Sequence, residues 1–497
     1  MNQHSNTDNK LSRKLGLLPL AATGICSMLG ASVYVVPIMI QRNVPGIGPY
    51  VLPAFLLAAI PALLAAFAYA SLASAMPRAG GSYIYASRGL HPYLGFVASF
   101  AQWFGLTLVI GVICYVIIPF FRDIASAMDW VATANYLDRG WIRVSLALLL
   151  LWTFVGINIR GLSFYERTLI PLMFLMFGLG AIVIFAGFSF THADFEAALL
   201  AKEGKTLQIE QVATFDFSTF LAAAAVLFSS FIGFDSIAQA GGEAKNPAKA
   251  LPRAIAIAVL TVGGFYFIFT AAVYHAVPWQ FIAAEAIEKD ISAPGLFGYL
   301  LSPTWGVAII LGAAIALIND LPAMLLSVSR LLFAWAEDGI FPKKIAAVNV
   351  ETQTPTTALL LSGGMATIGI LGSHFAGDFF LGVDIMVTSM LINFLLMCLT
   401  LIFLPTKNPS IAKNITVLTS SSLRTILAWV GVLMLSSFLI IHIWKDLHAD
   451  VGNWYFHSTP IWLIVMSLAS FIYFWQLRKL KASGVDLTTL FGKLPKE

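Results

Sequence analysis

Charged residues are scarce in this chain. Asp, Glu, Lys and Arg make up 11% of its 497 residues, whereas 59% are hydrophobic, and the mean hydropathy is +0.85. A water-soluble domain of this length needs far more charge to cover its surface, so water is excluded as the main solvent. Cysteine is also scarce: Cys26, Cys114 and Cys398 are the full set. An odd number without metal-ligand or redox spacing excludes a disulfide framework and a cysteine metal centre, and the three read as buried free thiols. No HExxH, GxSxG, Walker loop or strand-borne GxGxxG occurs. The common enzyme readings fall away, and neither a metal nor a cofactor is expected. The basic residues sit in short stretches flanking apolar runs, which argues against a nucleic-acid surface.

What is present is long apolar sequence. A helix needs about 20 mostly apolar residues to cross about 30 Å of hydrocarbon. Twelve runs meet this: Leu15–Ile40, Tyr50–Met76, Tyr93–Phe121, Trp141–Ile159, Arg167–Phe188, Phe217–Ala240, Ala254–Val277, Trp305–Ala336, Thr356–Phe375, Phe379–Leu404, Thr425–Ile443 and Pro460–Leu477. They are too long, and alternate too little, for strands of a β-barrel. The first is too long for a signal-peptide core and lacks an A-x-A site, so it reads as a permanent span. With the N-terminus in the cytoplasm and the spans alternating, most of the 29 Lys and Arg residues fall on the cytoplasmic side. They include Arg13, Lys14, Arg78, Arg88, Lys245, Lys249, Arg253, Lys343, Lys344 and those from Arg478 onward. Most loop carboxylates fall opposite. The positive-inside rule then predicts a multi-pass protein of the cell inner membrane with both termini cytoplasmic. Residues 1–14 and 478–497 read as tails, and 15–477 as one membrane domain. The loops Arg122–Gly140, Ser189–Asp216, Pro278–Thr304, Glu337–Pro355 and Pro405–Arg424 are too short for a separate soluble domain.

Two spans are interrupted by small residues: span 1 at GICSMLGAS (Gly24–Ser32) and span 6 at SSFIGFDS (Ser229–Ser236). Breaking a helix in lipid strands backbone groups at several kcal/mol each, so such breaks persist where they line a cavity. The two lie at an offset of five spans. Units 15–188 and 217–404 would therefore have opposite topology, the logic of an inverted repeat. Helices 11 and 12, in 425–477, fall outside it, with stability or a homodimer contact as their two candidate roles. In span 1, Gly24 and Gly30 let the backbone unwind, and amides at the start of the following half-helix suit a carboxylate. The alternative is that these glycines only allow close helix packing. In span 6, Ser229, Ser230 and Gly233 mark a break whose freed carbonyls suit an ammonium. Amides on one side and carbonyls on the other fit an α-amino acid zwitterion.

Acids at membrane depth are functional candidates by default. Asp235 is expected to couple or gate, with a structural hydrogen bond to unwound backbone as the alternative. Asp320, between Asn319 and Pro322 in span 8, is expected to meet a proton, a cation or a cationic substrate. Its alternative is contact with carbonyls freed by the proline. Asp384 reads as a helix-end carboxylate reaching the interface. His275, near the end of span 7, is a weaker relay candidate.

Four stretches together carry a family resemblance: GICSMLGASVYVVP, MPRAGGSYIYASRGLHPYLGF, FIGFDSIAQAGGEAKNPAKALPRAI and SRLLFAWAEDGIFPKKIAAVN. Over nearly its whole length the chain resembles the amino acid–polyamine–organocation (APC) transporter superfamily. The resemblance implies an all-α integral membrane fold of 12 transmembrane helices. These form a LeuT-like 5+5 inverted repeat with broken helices 1 and 6, plus two extra helices. It also implies secondary amino acid transport by alternating access, as proton symport or substrate exchange. Span 1 amides at Ala31 and Ser32, beside Gly30, would hold the substrate carboxylate. Carbonyls near Met28 and Ile232, beside Gly233, would meet the amino group. Gln102, Leu106, Ile110 and Met324 would line the site with Ser229, and Asp235 and Asp320 would serve coupling or gating. This chain departs from the family pattern in three places. Ser32 replaces the last glycine of the G-x-G triplet, Ser229 stands where arginine–agmatine antiporters have a gating Trp, and Met176 lies nearest a span 5 position that is often Lys. Sodium thus stays open beside the proton as coupling ion. A polyamine or cationic amino acid antiporter is one alternative reading, and a transport-inactive solute sensor or partner subunit is another.

Overall fold

The computed structural model describes residues 11–30, 32–206, 214–288, 291–376, 380–449, 451 and 453–495. Among the described residues, twelve helices are long and apolar enough to cross a membrane. They are Leu17–Asn43, Gly48–Ala75, Pro92–Ala127, Gly140–Ile159, Leu162–Ser189, Phe217–Gln239, Pro247–Ala276, Pro303–Glu337, Thr356–Phe375, Leu381–Lys407, Ser421–Leu447 and Ser458–Ala482, numbered below as spans 1–12. Among the described residues β-structure is confined to two isolated bridges. Several helices outrun the apolar stretches: span 3 continues to Ala127 and span 12 to Ala482. Hydropathy stops where side chains turn polar, but the backbone ladder continues through the interface because each added residue gains a hydrogen bond.

Spans 3 and 8 form the buried centre and pack on each other. Span 3 also packs on spans 9 and 10, and span 8 on spans 4 and 5. The first half of span 1 packs on span 7, and the first half of span 6 on span 2. This exchange of partners is what two inverted five-span units produce. Spans 11 and 12 lean on span 10 and leave most of their apolar surface outward.

The connections hold more structure than their composition suggested. Short helices occupy Gly81–Gly89, Val131–Leu137, His192–Glu203, Trp279–Glu288 and Ala293–Phe297. The first is buried throughout. The C-terminal stretch, read from sequence as a tail, folds back as a helix at Leu487–Gly492. Arg78 Nε donates to the Pro495 carbonyl at 3.0 Å, and Asn408 Nδ2 to that of Gly492 at 3.1 Å. Two buried ion pairs lie at this end of the bundle. Arg88 grips Asp338 through two bonds of 2.6 and 2.8 Å, and Arg330 grips Glu243 at 2.5 and 3.1 Å.

Candidate functional site

Span 1 consists of two helices, Leu17–Met28 and Ser32–Asn43. Leu29 departs from helical geometry at φ −103°, ψ 64°. The two glycines of this stretch do different work. A Cβ on Gly24 would lie 2.4 Å from Ile237 Cδ1, which makes it a packing glycine. A Cβ on Gly30 would lie 2.2 Å from Asp320 Oδ2, so its bareness admits the carboxylate of span 8 into the break. Ala31 lies outside the described residues.

Span 6 runs as a helix over Phe217–Leu227, tightens into a 3₁₀ turn at Phe228–Phe231 and resumes at Ser236–Gln239. Ile232 is extended (φ −74°, ψ 133°), which turns its carbonyl off the helix axis. Gly233 has φ +132°, open to glycine and rarely to other residues. A Cβ there would lie 2.2 Å from the Ser27 carbonyl oxygen. The two breaks thus meet backbone to backbone, and Ser27 Oγ and Ser236 Oγ share a hydrogen bond of 2.9 Å beside them.

Asp235 accepts from the Gly233 amide at 3.2 Å and from Gln102 Nε2. This is the geometry of the structural alternative: the carboxylate caps a donor freed by the break. Gln102 is the hub of a buried network. Its Oε1 accepts from Ser82 Oγ at 2.6 Å, Asn393 Nδ2 at 2.9 Å and Gln239 Nε2 at 3.1 Å, and Tyr69 donates to Asn393 Oδ1. Gln102, placed from sequence beside the substrate, therefore spends its amide on joining spans 3, 6 and 10. Asp235→Asn puts an NH₂ against the Gln102 NH₂ or costs the Gly233 contact. The variant is expected to lose about 1–3 kcal/mol of stability, read as a fall in melting temperature. An unchanged melting temperature would refute the capping role.

Asp320 is 4% exposed. One carboxylate oxygen faces Gly30, and the other, Oδ1, has no hydrogen-bond partner among the described residues. Next to it, Asn319 Nδ2 donates to Cys26 Sγ at 2.9 Å, while Asn319 Oδ1 is also buried without a partner among the described residues. Two buried acceptors without donors are an arrangement suited to a proton or cation.

Tyr266 of span 7 was missed in the sequence. Its hydroxyl pairs with Ser32 Oγ and reaches the Met28 carbonyl at 3.5 Å, so it ties together both sides of the span 1 break. Its ring stacks on Phe55 of span 2, with centroids 5.5 Å apart. A tyrosine in mid-span, whose hydroxyl needs a partner, was the available signal. Ser229 Oγ donates to the Val226 carbonyl at 2.8 Å, so its hydroxyl serves its own helix. Leu106 and Ile110 follow Gln102 at helical spacing on span 3, Met324 follows Asp320 by one turn, and all three are buried. Ile232 is 4% exposed, and Ser32 and Ser229 are half-buried. Cys26, Cys114 and Cys398 are buried free thiols.

A twelve-span helical bundle with two interrupted helices meeting at its centre, ringed by polar groups from spans 3, 7 and 8, defines a polytopic membrane protein with a polar site between broken spans. The amino acid permease family model matches residues 15–468, and the chain belongs to that family. It is 35% identical over 161 residues to cationic amino acid transporter 4 of Mus musculus, covering 32% of this chain and 24% of that protein. It is 31% identical over 158 residues to the branched-chain amino acid permease BcaP of Bacillus subtilis (strain 168), covering 32% of each. Vacuolar cationic amino acid transporter 2 of Arabidopsis thaliana is 33% identical over 143 residues, covering 29% of this chain and 23% of that protein. The chain thus spans between a fifth and a third of the length of the curated relatives it matches.

Proposed function

We propose that this protein moves amino acids across the cell inner membrane by alternating access, as a proton symporter or exchanger with both termini cytoplasmic. The observation that carries this reading is the meeting of the two breaks. Gly233 lies on the Ser27–Met28 backbone, and Asp320 faces Gly30. A zwitterion bridging them would place its carboxylate at the start of the second half of span 1, where amides and the helix dipole favour an anion. Its ammonium would face the carbonyls of Met28 and Ile232. Binding drives transport only as far as its energy differs between outward- and inward-facing states. Asp320 is the favoured coupling residue, because Asp235 already accepts two donors whereas Asp320 Oδ1 has none among the described residues.

The same oxygen supports a second reading, selection of a cationic amino acid, in line with the two cationic amino acid transporters among the relatives above. The test is uptake of a radiolabelled panel of neutral amino acids, cationic amino acids and polyamines into proteoliposomes, with and without an inward proton gradient. Saturable amino acid uptake that rises with the gradient is expected. Binding without flux would overturn transport and point to a solute sensor. If Asp320 selects charge, Asp320→Asn weakens lysine or arginine about 10-fold or more and spares neutral substrates. An unchanged ratio removes the cationic reading.

A further inference from the structure

A cavity of about 580 Å³ opens at the starts of spans 1 and 7. Its wall is held by backbone pairing. Leu15 donates to the Glu243 carbonyl at 2.9 Å, and Lys245 donates to that of Leu15 at 2.8 Å. The segment entering span 1 is thereby tied to the loop entering span 7. Lys245, Lys249 and Arg253 line the cavity with Gly16, Leu17 and Asn246, and no carboxylate lines it among the described residues. All three cations are exposed, and none forms an ion pair among the described residues. Glu166 at the start of span 5 lies within electrostatic range of Lys245 without pairing to it.

The surface below the cavity is apolar. Lys249, Arg253, Ile257 and Leu260 follow one another at helical spacing on a single face of span 7. Ile257 is 40% and Leu260 65% exposed, and across the cavity Leu17 and Leu18 are 40% and 50% exposed. The cations therefore stand where the spans leave the hydrocarbon, above a lipid-facing stripe. A ligand that matches both halves is anionic at one end and apolar along its length. Basic pockets between spans at the membrane surface suit lipid phosphates, and cation heads held over apolar stems suit this depth.

We infer that this cavity binds the phosphate of an anionic phospholipid, with the acyl chains lying along Ile257 and Leu260. The assignment is independent of the transported substrate. The test uses the purified full chain in detergent. Thermal unfolding and lipid retention in native mass spectrometry are followed with phosphatidylglycerol, phosphatidylcholine or inorganic phosphate. Phosphatidylglycerol is expected to be retained and to raise the melting temperature, and phosphatidylcholine to do neither. The triple variant Lys245→Gln, Lys249→Gln, Arg253→Gln is expected to lose the effect, at about five-fold in affinity per charge removed. Lys343→Gln with Lys344→Gln, elsewhere on the basic surface, is expected to keep it. If the triple variant does not fold, Lys249→Gln alone replaces it, with a five-fold loss expected. Equal stabilisation by both lipids, or equal losses in the cavity and distant variants, would overturn the assignment. Stabilisation by inorganic phosphate equal to that by phosphatidylglycerol would also overturn it, in favour of a soluble anion site.

Discussion

Gly30→Ala is expected to abolish transport while leaving the protein folded. The added Cβ would stand 2.2 Å from Asp320 Oδ2 and 3.1 Å from its Cγ. Ordinary van der Waals contact begins near 3.5 Å, so the carboxylate or the break must move by about 1 Å. The span 8 backbone at Asp320 is held by a helix buried on several sides, so the shift falls on the Asp320 side chain and the start of the second half of span 1. Those are the groups proposed to meet the coupling ion and the substrate carboxylate. A misplacement of this size in a positioned site costs about 100-fold, and overpacking adds about 1–3 kcal/mol of destabilisation. Initial uptake rates in proteoliposomes, beside melting temperatures, measure both. Adding Asp320→Ala removes the clash and is expected to restore the melting temperature without restoring uptake. Uptake at the parental rate in Gly30→Ala alone would show that this juxtaposition plays no part in transport.

The largest loss of stability is expected from Arg330→Met. Arg330 and Glu243 side chains are 1% and 0% exposed, and Glu243 receives two bonds from the guanidinium. Removing the arginine leaves a carboxylate buried without compensation, a change that costs about 3–5 kcal/mol. Glu243 also holds the N-terminal segment through its carbonyl, bonded to the Leu15 amide at 2.9 Å, so the damage spreads to the entry of span 1. Melting temperature and protease sensitivity near Leu15 report the effect. Pairing the change with Glu243→Gln is expected to recover much of the loss, because the stranded charge is then gone. The exposed pair Arg122–Asp138, with side chains 37% and 66% exposed, provides the contrast: breaking it is expected to cost about 0–1 kcal/mol. Equal losses at the two sites would refute the role assigned to burial.

Much of this protein was legible along the chain because lipid imposes a one-dimensional rule. Every backbone group must be satisfied within its own helix, so spans declare themselves as apolar runs and departures stand out. The twelve spans, the breaks at Gly24–Ser32 and Ser229–Ser236, and the unusual depth of Asp235 and Asp320 all follow from that rule. The partner of each buried polar group did not follow, because it depends on how each helix is rotated and how deeply small residues let neighbours approach. Gln102 and Asp235 are 133 residues apart and Ser32 and Tyr266 are 234 apart, and only packed helices bring them into contact. Packing also separated the two acids, with Asp235 bonded by a freed amide and Gln102, and Asp320 facing Gly30 with its Oδ1 unpartnered among the described residues. It turned Ser229 back onto its own helix and brought the C-terminal stretch against Arg78 and Asn408. Solvent compatibility is a property of residues in order, and it wrote the span pattern into the chain. Polar pairing is a property of surfaces brought together, and it was decided only when the twelve helices packed.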